Sequence, residues 1–342
     1  MSAVLRLAPR RSLRIPPLGR SPRGSTRVRV GLDAVTRPPP RAVVTVGVFD
    51  GVHLAHQRLI RLTVQTARRV NGTSVVITFD PDPQAVLDPA HALPVLMPLQ
   101  ARVARLQAMG IDWIWIIPFT KRFARMTAAA FIRRLLIDRL HATALIVGET
   151  FVFGRNRRAD METLRALGPS HGMRIIPLRQ VRRDGDSVSS SRIRRLIACG
   201  RLAHAAQLLG RPPELYGVVV RGVGRGRRLG TPTANIRLSS CALPPHGVYA
   251  VTMRTIPPSR PWQGVMNLGI RPTFGPGPCV CEVHLLGFSG TLLGRPVCVS
   301  LLTRLRGERC FPSVEALTAQ IRRDLTHAKQ VFARSTSRSR SS

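Results

Sequence analysis

Along the first half of the chain, short unbroken apolar runs alternate with stretches whose apolar residues return every three or four positions. Val43–Val46, Ser74–Phe79, Trp113–Ile117, Ala144–Val147 and Met173–Leu178 have the length and composition of buried strands. His53–Arg69, Leu99–Met109, Thr127–Leu140 and Asp160–Gly168 have helical periodicity and lie between them. Strand–helix alternation at this spacing predicts βαβ units and hence a parallel sheet, an α/β fold. Such sheets bind ligands beyond the carboxyl ends of their strands, so the residues that follow each strand are the first place to seek chemistry.

The pattern changes near residue 210. Ser189–Cys199 and Leu202–Leu209 read as two short helices closing the first domain, and Gly210-Arg-Pro-Pro213 interrupts the periodicity. Beyond it, Leu215–Val220, Gly247–Met253, Gln263–Leu268, Val280–Leu286 and Val297–Leu302 are strand-like runs separated by Gly/Pro turns. Short strands without intervening helices predict an all-β unit, an antiparallel barrel, with the helical stretch Pro312–Ala333 packed outside it. The expected division is a domain over 32–209, a linker at 210–214 and a barrel domain over 215–333. Residues 1–31, with eight arginines and no acid, and the tail 334–342 (RSTSRSRSS) read as basic extensions without fixed structure.

Composition bears on partners more than on fold. With 342 residues the chain has room for two cores. No apolar run approaches the ~20 residues that cross a bilayer, so a soluble protein without a membrane partner is expected. Lys+Arg number 53 against 17 Asp+Glu, a formal charge of +36, and only Lys121 and Lys329 are lysines. One reading is a nucleic-acid protein held through phosphates. The arginines are spread over the whole chain, however, and aromatics at 5% are too few for a stacking surface. An arginine bias on an ordinary enzyme fits better, and no specific nucleic-acid partner is expected. The six cysteines are sparse, and Cys279-x-Cys281 lacks a second pair at zinc-site spacing, which fits reduced thiols in the cytoplasm. The arginine-rich start leaves organellar import as the alternative location.

Val46-Gly47-Val48-Phe49-Asp50-Gly51-Val52-His53-Leu54-Ala55-His56 carries the first candidate chemistry. A strand runs through a glycine turn into a helix opened by two histidines three apart, which share a helix face. The helix start adds free N–H groups and the positive end of a dipole, a place for phosphates. Gly47, Phe49, Asp50 and Gly51 join His53 and His56 in this candidate nucleotide site. Later stretches fall at equivalent places: Thr78-Phe79-Asp80-Pro81, then Val147-Gly148-Glu149-Thr150-Phe151-Val152-Phe153-Gly154, then Ser189-Ser190-Ser191-Arg192-Ile193-Arg194. Each alone reads equally as a helix cap or a solvated basic loop. Their joint order favours a triphosphate site.

The second constellation follows the linker. Gly217, Gly222, Gly224, Gly226 and Gly230 lead into Pro232-Thr233-Ala234-Asn235. The spacing is neither a Walker A loop nor a dinucleotide fingerprint, and the glycines alone read as a cluster of β-turns. Glu282 stands on an apolar strand in a chain with few acids, where by itself it reads as an edge-strand carboxylate paired with an arginine.

Together these stretches resemble the bifunctional riboflavin kinase/FAD synthetase family. The first set is similar to its patterns G-N-F-D-G-V-H-x-G-H, T-F-x-P-H-P, V-G-x-D-F-x-F-G and I-S-S-T-x-I-R, with departures at Val48, Ala55, Asp82 and Thr150. The second is similar at Pro232–Asn235, Gly247–Ala250, Asn267–Phe274, Glu282–His284 and Arg304–Glu308. The resemblance implies a Rossmann-like nucleotidylyltransferase domain that adenylylates FMN with ATP, giving FAD and pyrophosphate. His53 and His56 would stabilise phosphate charge, Ser190 and Arg192 would hold the pyrophosphate end, and Gly148 would border the nucleotide. Phe79, Pro81, Phe151 and Phe153 would meet the flavin. It further implies a barrel domain that phosphorylates riboflavin with ATP, with Glu282 as general base. There Gly222, Gly224, Gly226, Gly230 and Thr233 would meet the nucleotide, Thr233 and Asn235 would hold Mg²⁺, and Asn267 and Arg306 would meet the flavin. Two other readings stay open: a riboflavin kinase with a weakened adenylyltransferase half, and a basic nucleic-acid-binding protein on an enzyme-derived fold.

Overall fold

A computed structural model of the chain describes residues 26–222, 230–239, 241–256, 259–269 and 280–340. Six strands form one parallel sheet: β1 (Arg27–Val30), β2 (Val43–Val46), β3 (Ser74–Asp80), β4 (Trp113–Pro118), β5 (Ala144–Gly148) and β6 (Arg174–Leu178). Their order is β1-β4-β3-β2-β5-β6. The intervening helices are α1 (Leu54–Arg69), α2 (Pro83–Leu87), α3 (Leu99–Ala108), α4 (Lys121–Ala124), α5 (Ala128–Phe131) and α6 (Met161–Leu167). The central strands are continuous apolar runs because both sheet faces are covered. Val44, Ile77, Trp115 and Leu145 pack into one layer with Phe131 and Leu135, while Val43, Val76, Ile114 and Ile146 pack into the other with Ile60 and Leu106. From β2 the chain proceeds to β3 and β4 on one side, then returns to place β5 on the other. That reversal opens a crevice at the carboxyl ends of β2 and β5, where α/β sheets hold their ligands.

The short hairpin β7 (Arg182–Arg183) and β8 (Asp186–Ser187) leads into α7 (Ser190–Ala198) and α8 (Leu202–Leu209). Six antiparallel strands then close a barrel: β9 (Glu214–Val220), β10 (Ala234–Leu238), β11 (Gly247–Thr255), β12 (Trp262–Gly269), β13 (Val280–Leu285) and β14 (Pro296–Arg306). The last helix, α9 (Val314–Arg340), lays Ala328 and Phe332 against Ala250 on the outside of the barrel. Among the described residues no helix is long and apolar enough to cross a membrane. Cys199, Cys298 and Cys310 are free thiols.

The boundaries differ from the sequence reading in instructive ways. The stretch 1–31, expected to be an unstructured extension, contains β1, whose Arg27–Val30 pairs in parallel with Trp113–Ile116. Its arginines do not prevent this, because Val28 packs inward and Arg27 and Arg29 lie over the Trp113 ring at 5.7 and 5.6 Å. Residues 1–25 lie outside the described residues. At the other end, α9 continues to Arg340 through the tail expected to lack structure. The helix expected over Thr127–Leu140 is α5 followed by a π-helical turn at Ile132–Ile137. The first barrel strand begins at Glu214, inside the expected linker, and the Pro-Thr-Ala-Asn element opens a strand, β10, that periodicity did not reveal.

Candidate active sites

The first site begins where β2 ends. Phe49, Gly51 and Val52 adopt positive φ angles of 55°, 80° and 41°, which turn the chain sharply into α1. Gly51 needs to be glycine twice over, because a Cβ there would also lie 2.6 Å from Leu96 Cδ1. His53 caps α1: its Nδ1 accepts from the His56 backbone N–H at 3.4 Å. The two imidazoles stack 3.6 Å apart with a 16° tilt, so the predicted sharing of one helix face holds. Burial, then Arg211 and Arg194, lower the His53 pKa to about 3. Burial, then His53 and Arg102, hold His56 well below the usual histidine range. Both rings are therefore neutral near pH 7. With Nδ1 accepting, the His53 proton sits on Nε2, where it can be donated to a phosphate.

Two residues expected at the nucleotide are held by contacts within the protein. The Asp50 carboxylate is buried, accepts from the Leu96 N–H at 2.8 Å and the Met97 N–H at 3.2 Å, and pairs with Arg194 at 2.6 Å. Burial raises its pKa against those three stabilising contacts. Asp50 thus ties the turn to α7 from below. Phe49 is fully buried, with its ring touching Gly47 and lying edge-on to His56 at 5.1 Å. It is a floor, shaped by packing. Ser190 reaches the turn, donating to the Asp50 carbonyl at 2.8 Å. Arg192 does not: its guanidinium donates to the carbonyls of Arg183 at 2.9 Å and Asp186 at 3.2 Å, fastening the β7–β8 hairpin.

Beside this turn, a cavity of about 1080 Å³ opens at the carboxyl ends of β2 to β5. Its wall includes Gly47 and Val48 after β2, Phe79 and Asp82 after β3, Lys121 and Arg125 after β4, and Thr150 to Gly154 after β5. Of the chain's 11 phenylalanines, Phe79, Phe119, Phe123, Phe131, Phe151 and Phe153 line it. In a chain this poor in aromatics, that concentration makes one wall of the cavity suited to packing against a planar ring. Phe151 and Phe153 stack at 5.5 Å, and Phe79 meets Phe119 edge-on at 5.7 Å. Pro81 joins Phe79 to Asp82 across the rim, and Gly148 ends β5 with open space around it. Phe119, Phe123 and Phe131 escaped the sequence reading because no motif surrounds them; for Phe119 and Phe123 the available signal was their position just after β4, while Phe131 lies on α5. Arg102 escaped it too, one guanidinium among many in the sequence. It is buried, donates to the Val48 carbonyl, to Thr78 Oγ1 at 3.2 Å and to the Phe79 carbonyl at 3.3 Å, and so joins the ends of β2 and β3. The buried His56 Nδ1 has no hydrogen-bond partner among the described residues.

The second site is written in the barrel register. Asn235 on β10 lies directly opposite Glu282 on β13, which lies opposite Asn267 on β12. Asn267 in turn pairs with Val248, and Val248 with Arg306. Ile236, Cys281, Val283 and Met266 alternate with these positions and fill the interior, so the polar row faces outward. Gly222 packs against the Asn235 side chain so closely that an added Cβ would overlap its amide. His284 Nδ1 and the Pro232 carbonyl, 2.8 Å apart, bring the segment carrying Thr233 beside β13. Gly230 has a positive φ of 72°, while Gly224 and Gly226 lie outside the described residues. Arg306 is the other residue expected at a flavin. Its guanidinium pairs with Asp324 at 2.9 Å and lies 5.5 Å over Phe311, which fastens α9 to the barrel.

Comparison with known proteins follows the same division. Residues 36–192 match the FAD synthetase family and residues 209–332 the riboflavin kinase family. A bifunctional riboflavin kinase/FMN adenylyltransferase of Pseudomonas fluorescens is 36% identical over 304 residues, spanning 88% of this chain and 97% of its own length. The protein of the same description from Escherichia coli (strain K12) is 36% identical over 295 residues, spanning 86% and 94%. A solved structure described as a macrolide-efflux protein from Streptococcus pneumoniae superposes with a TM-score of 0.79 at 29% identity, covering 88% of this chain and 98% of that one. With both domain matches in order and relatives aligned over nearly their whole length, the chain belongs to the bifunctional riboflavin kinase/FMN adenylyltransferase family.

Proposed function

We propose that the chain makes FAD from riboflavin in two ATP-dependent steps, one in each domain. What carries this reading is the presence, in one chain, of an aromatic cavity beside a stacked histidine pair and of a carboxylate set between two amides on the barrel. In the barrel, Glu282 takes the proton of the riboflavin 5′-hydroxyl as that oxygen attacks the γ-phosphorus of ATP, and ADP leaves. Thr233 and Asn235 offer hard oxygen donors beside Glu282, a set that fits Mg²⁺, which keeps few protein ligands and takes the rest from phosphates and water. Bound Mg²⁺ would neutralise phosphate charge. Asn267, on the other flank of Glu282, would orient the flavin.

In the N-terminal domain, an FMN phosphate oxygen attacks the α-phosphorus of ATP, the α–β bridge breaks, and pyrophosphate departs. The phenylalanine wall receives the flavin ring, and Lys121 and Arg125 add positive charge to the same cavity. His53 and His56 act as neutral hydrogen-bond donors to the phosphates, together with the N–H groups at the start of α1. Purified protein incubated with riboflavin, ATP and Mg²⁺ should accumulate FMN first and FAD later. FMN that never becomes FAD would leave only the kinase half of the proposal standing.

A further inference from the structure

The turn that delivers His53 is held from outside its own domain. Val52 has φ 41°, an unusual conformation for a β-branched residue, and its carbonyl is fixed by two side chains. Gln57 Nε2 donates to it at 3.0 Å and Arg211 Nη1 at 3.4 Å. Arg211 Nη2 donates to the Gly51 carbonyl at 2.7 Å. Gln57 and Arg211 also both donate to the Leu209 carbonyl, at 2.8 and 3.3 Å, closing the chain around the end of α8. Arg211 belongs to the segment between the domains, and it is locked in turn by Glu214, the first residue of β9, at 3.4 Å. The Glu214 carboxylate is the hub of the domain boundary. It accepts from Tyr216 Oη at 2.6 Å and Arg254 Nη2 at 3.1 Å on the barrel, and from Arg105 on α3 across the boundary.

Resting on the reading of the His53 site as the adenylyl-transfer site, we infer that Arg211 is a positioning residue for that reaction: anchored by Glu214 of the barrel, it holds the Gly51–Val52 turn and so sets where His53 points. The linker is then a structural part of the first active site. Electrostatics supply a separable signature. The charged or titratable groups that act on His53 are Arg211 from the linker, Arg194 from α7 and His56 stacked on it from α1. After burial, Arg211 is the largest influence keeping the His53 ring neutral.

The test uses the full chain with Arg211→Met and Arg211→Lys, assayed separately for FAD formation from supplied FMN and for FMN formation from riboflavin. Arg211→Met should lower kcat for FAD formation about 10-fold or more, with KM for FMN and ATP within about 3-fold and riboflavin phosphorylation within about 2-fold. The acid limb of its FAD-forming pH profile should move to higher pH, because His53 loses a repelling cation. Arg211→Lys keeps the charge without the forked geometry, so its pH profile should stay near that of the parent while kcat still falls. Unchanged kcat and pH profile in both variants would overturn the inference. Parallel loss of both activities in both variants would overturn it too, marking Arg211 as a general stabiliser. Parallel loss in Arg211→Met alone leaves the decision to Arg211→Lys, where a selective loss supports the inference. A parent protein that phosphorylates riboflavin but never forms FAD would fail the underlying reading, a result distinct from either.

Discussion

Asn235 and Glu282 face each other across the β10–β13 ladder on the outer surface of the barrel. On the β9 side, Gly222 has no side chain and so makes room for the Asn235 amide. Gly222→Ala should therefore displace the Asn235 amide without deleting any reacting group. Riboflavin phosphorylation is expected to fall about 10²-fold, the scale of an ångström-sized misplacement, while FAD formation from supplied FMN stays within about 2-fold. Steady-state assays of the two half-reactions check this directly.

The aromatic wall makes a different demand. Phe151 is half-buried, stacks on Phe153 and lines the cavity, so Phe151→Ala removes ring contact at modest cost to the core. KM for FMN in FAD formation should rise about 10-fold with kcat little changed, as expected for loss of contact made equally before and during reaction. Riboflavin phosphorylation should be untouched.

Stability should weaken in acid, and the groups responsible can be named. His53 is held at about 3 and His56 well below the usual histidine range, so between pH ~6.5 and their folded values the unfolded chain binds protons that the folded chain refuses. Each contributes stability fully present above pH ~6.5 and lost as pH falls, at roughly 1.4 kcal/mol per pH unit. Burial alone would raise Glu214, but Arg105 and then Arg211 bring it down to about 2, so its contribution is present above about pH 4.5 and is lost toward pH 2. Asp50, raised by burial, acts in the opposite sense. Thermal melting should accordingly show Tm falling between pH 7 and 5, and His53→Gln should flatten that dependence.

Much of this molecule is legible in its sequence because the central strands are buried on both faces and appear as unbroken apolar runs. Val43–Val46 and Trp113–Ile117 could be read at sight. Arg27–Val30 could not, since an edge strand needs only one buried side chain and its neighbours are arginines that lie over Trp113. Motif positions pointed to both candidate sites but not to each residue's contacts. Asp50 and Arg306 stand in motifs, yet their charges are satisfied by Arg194 and Asp324, partners 144 and 18 residues away that only the fold brings near. Arg102, Arg211 and Glu214 carry no motif; their importance lies in burial, in the carbonyls that Arg102 and Arg211 hold and in the donors that converge on Glu214.

The central claim is that one chain houses two separable reactions, and paired variants test it most directly. FMN and FAD are followed in time for the parent, Glu282→Gln and His53→Ala, each supplied with ATP, Mg²⁺ and either riboflavin or FMN. Glu282→Gln should lose about 10²- to 10⁴-fold in FMN formation while still converting supplied FMN to FAD, and His53→Ala should make FMN normally but lose about 10²- to 10³-fold in FAD formation. Loss of both reactions in either folded variant, or of neither in both, would contradict it.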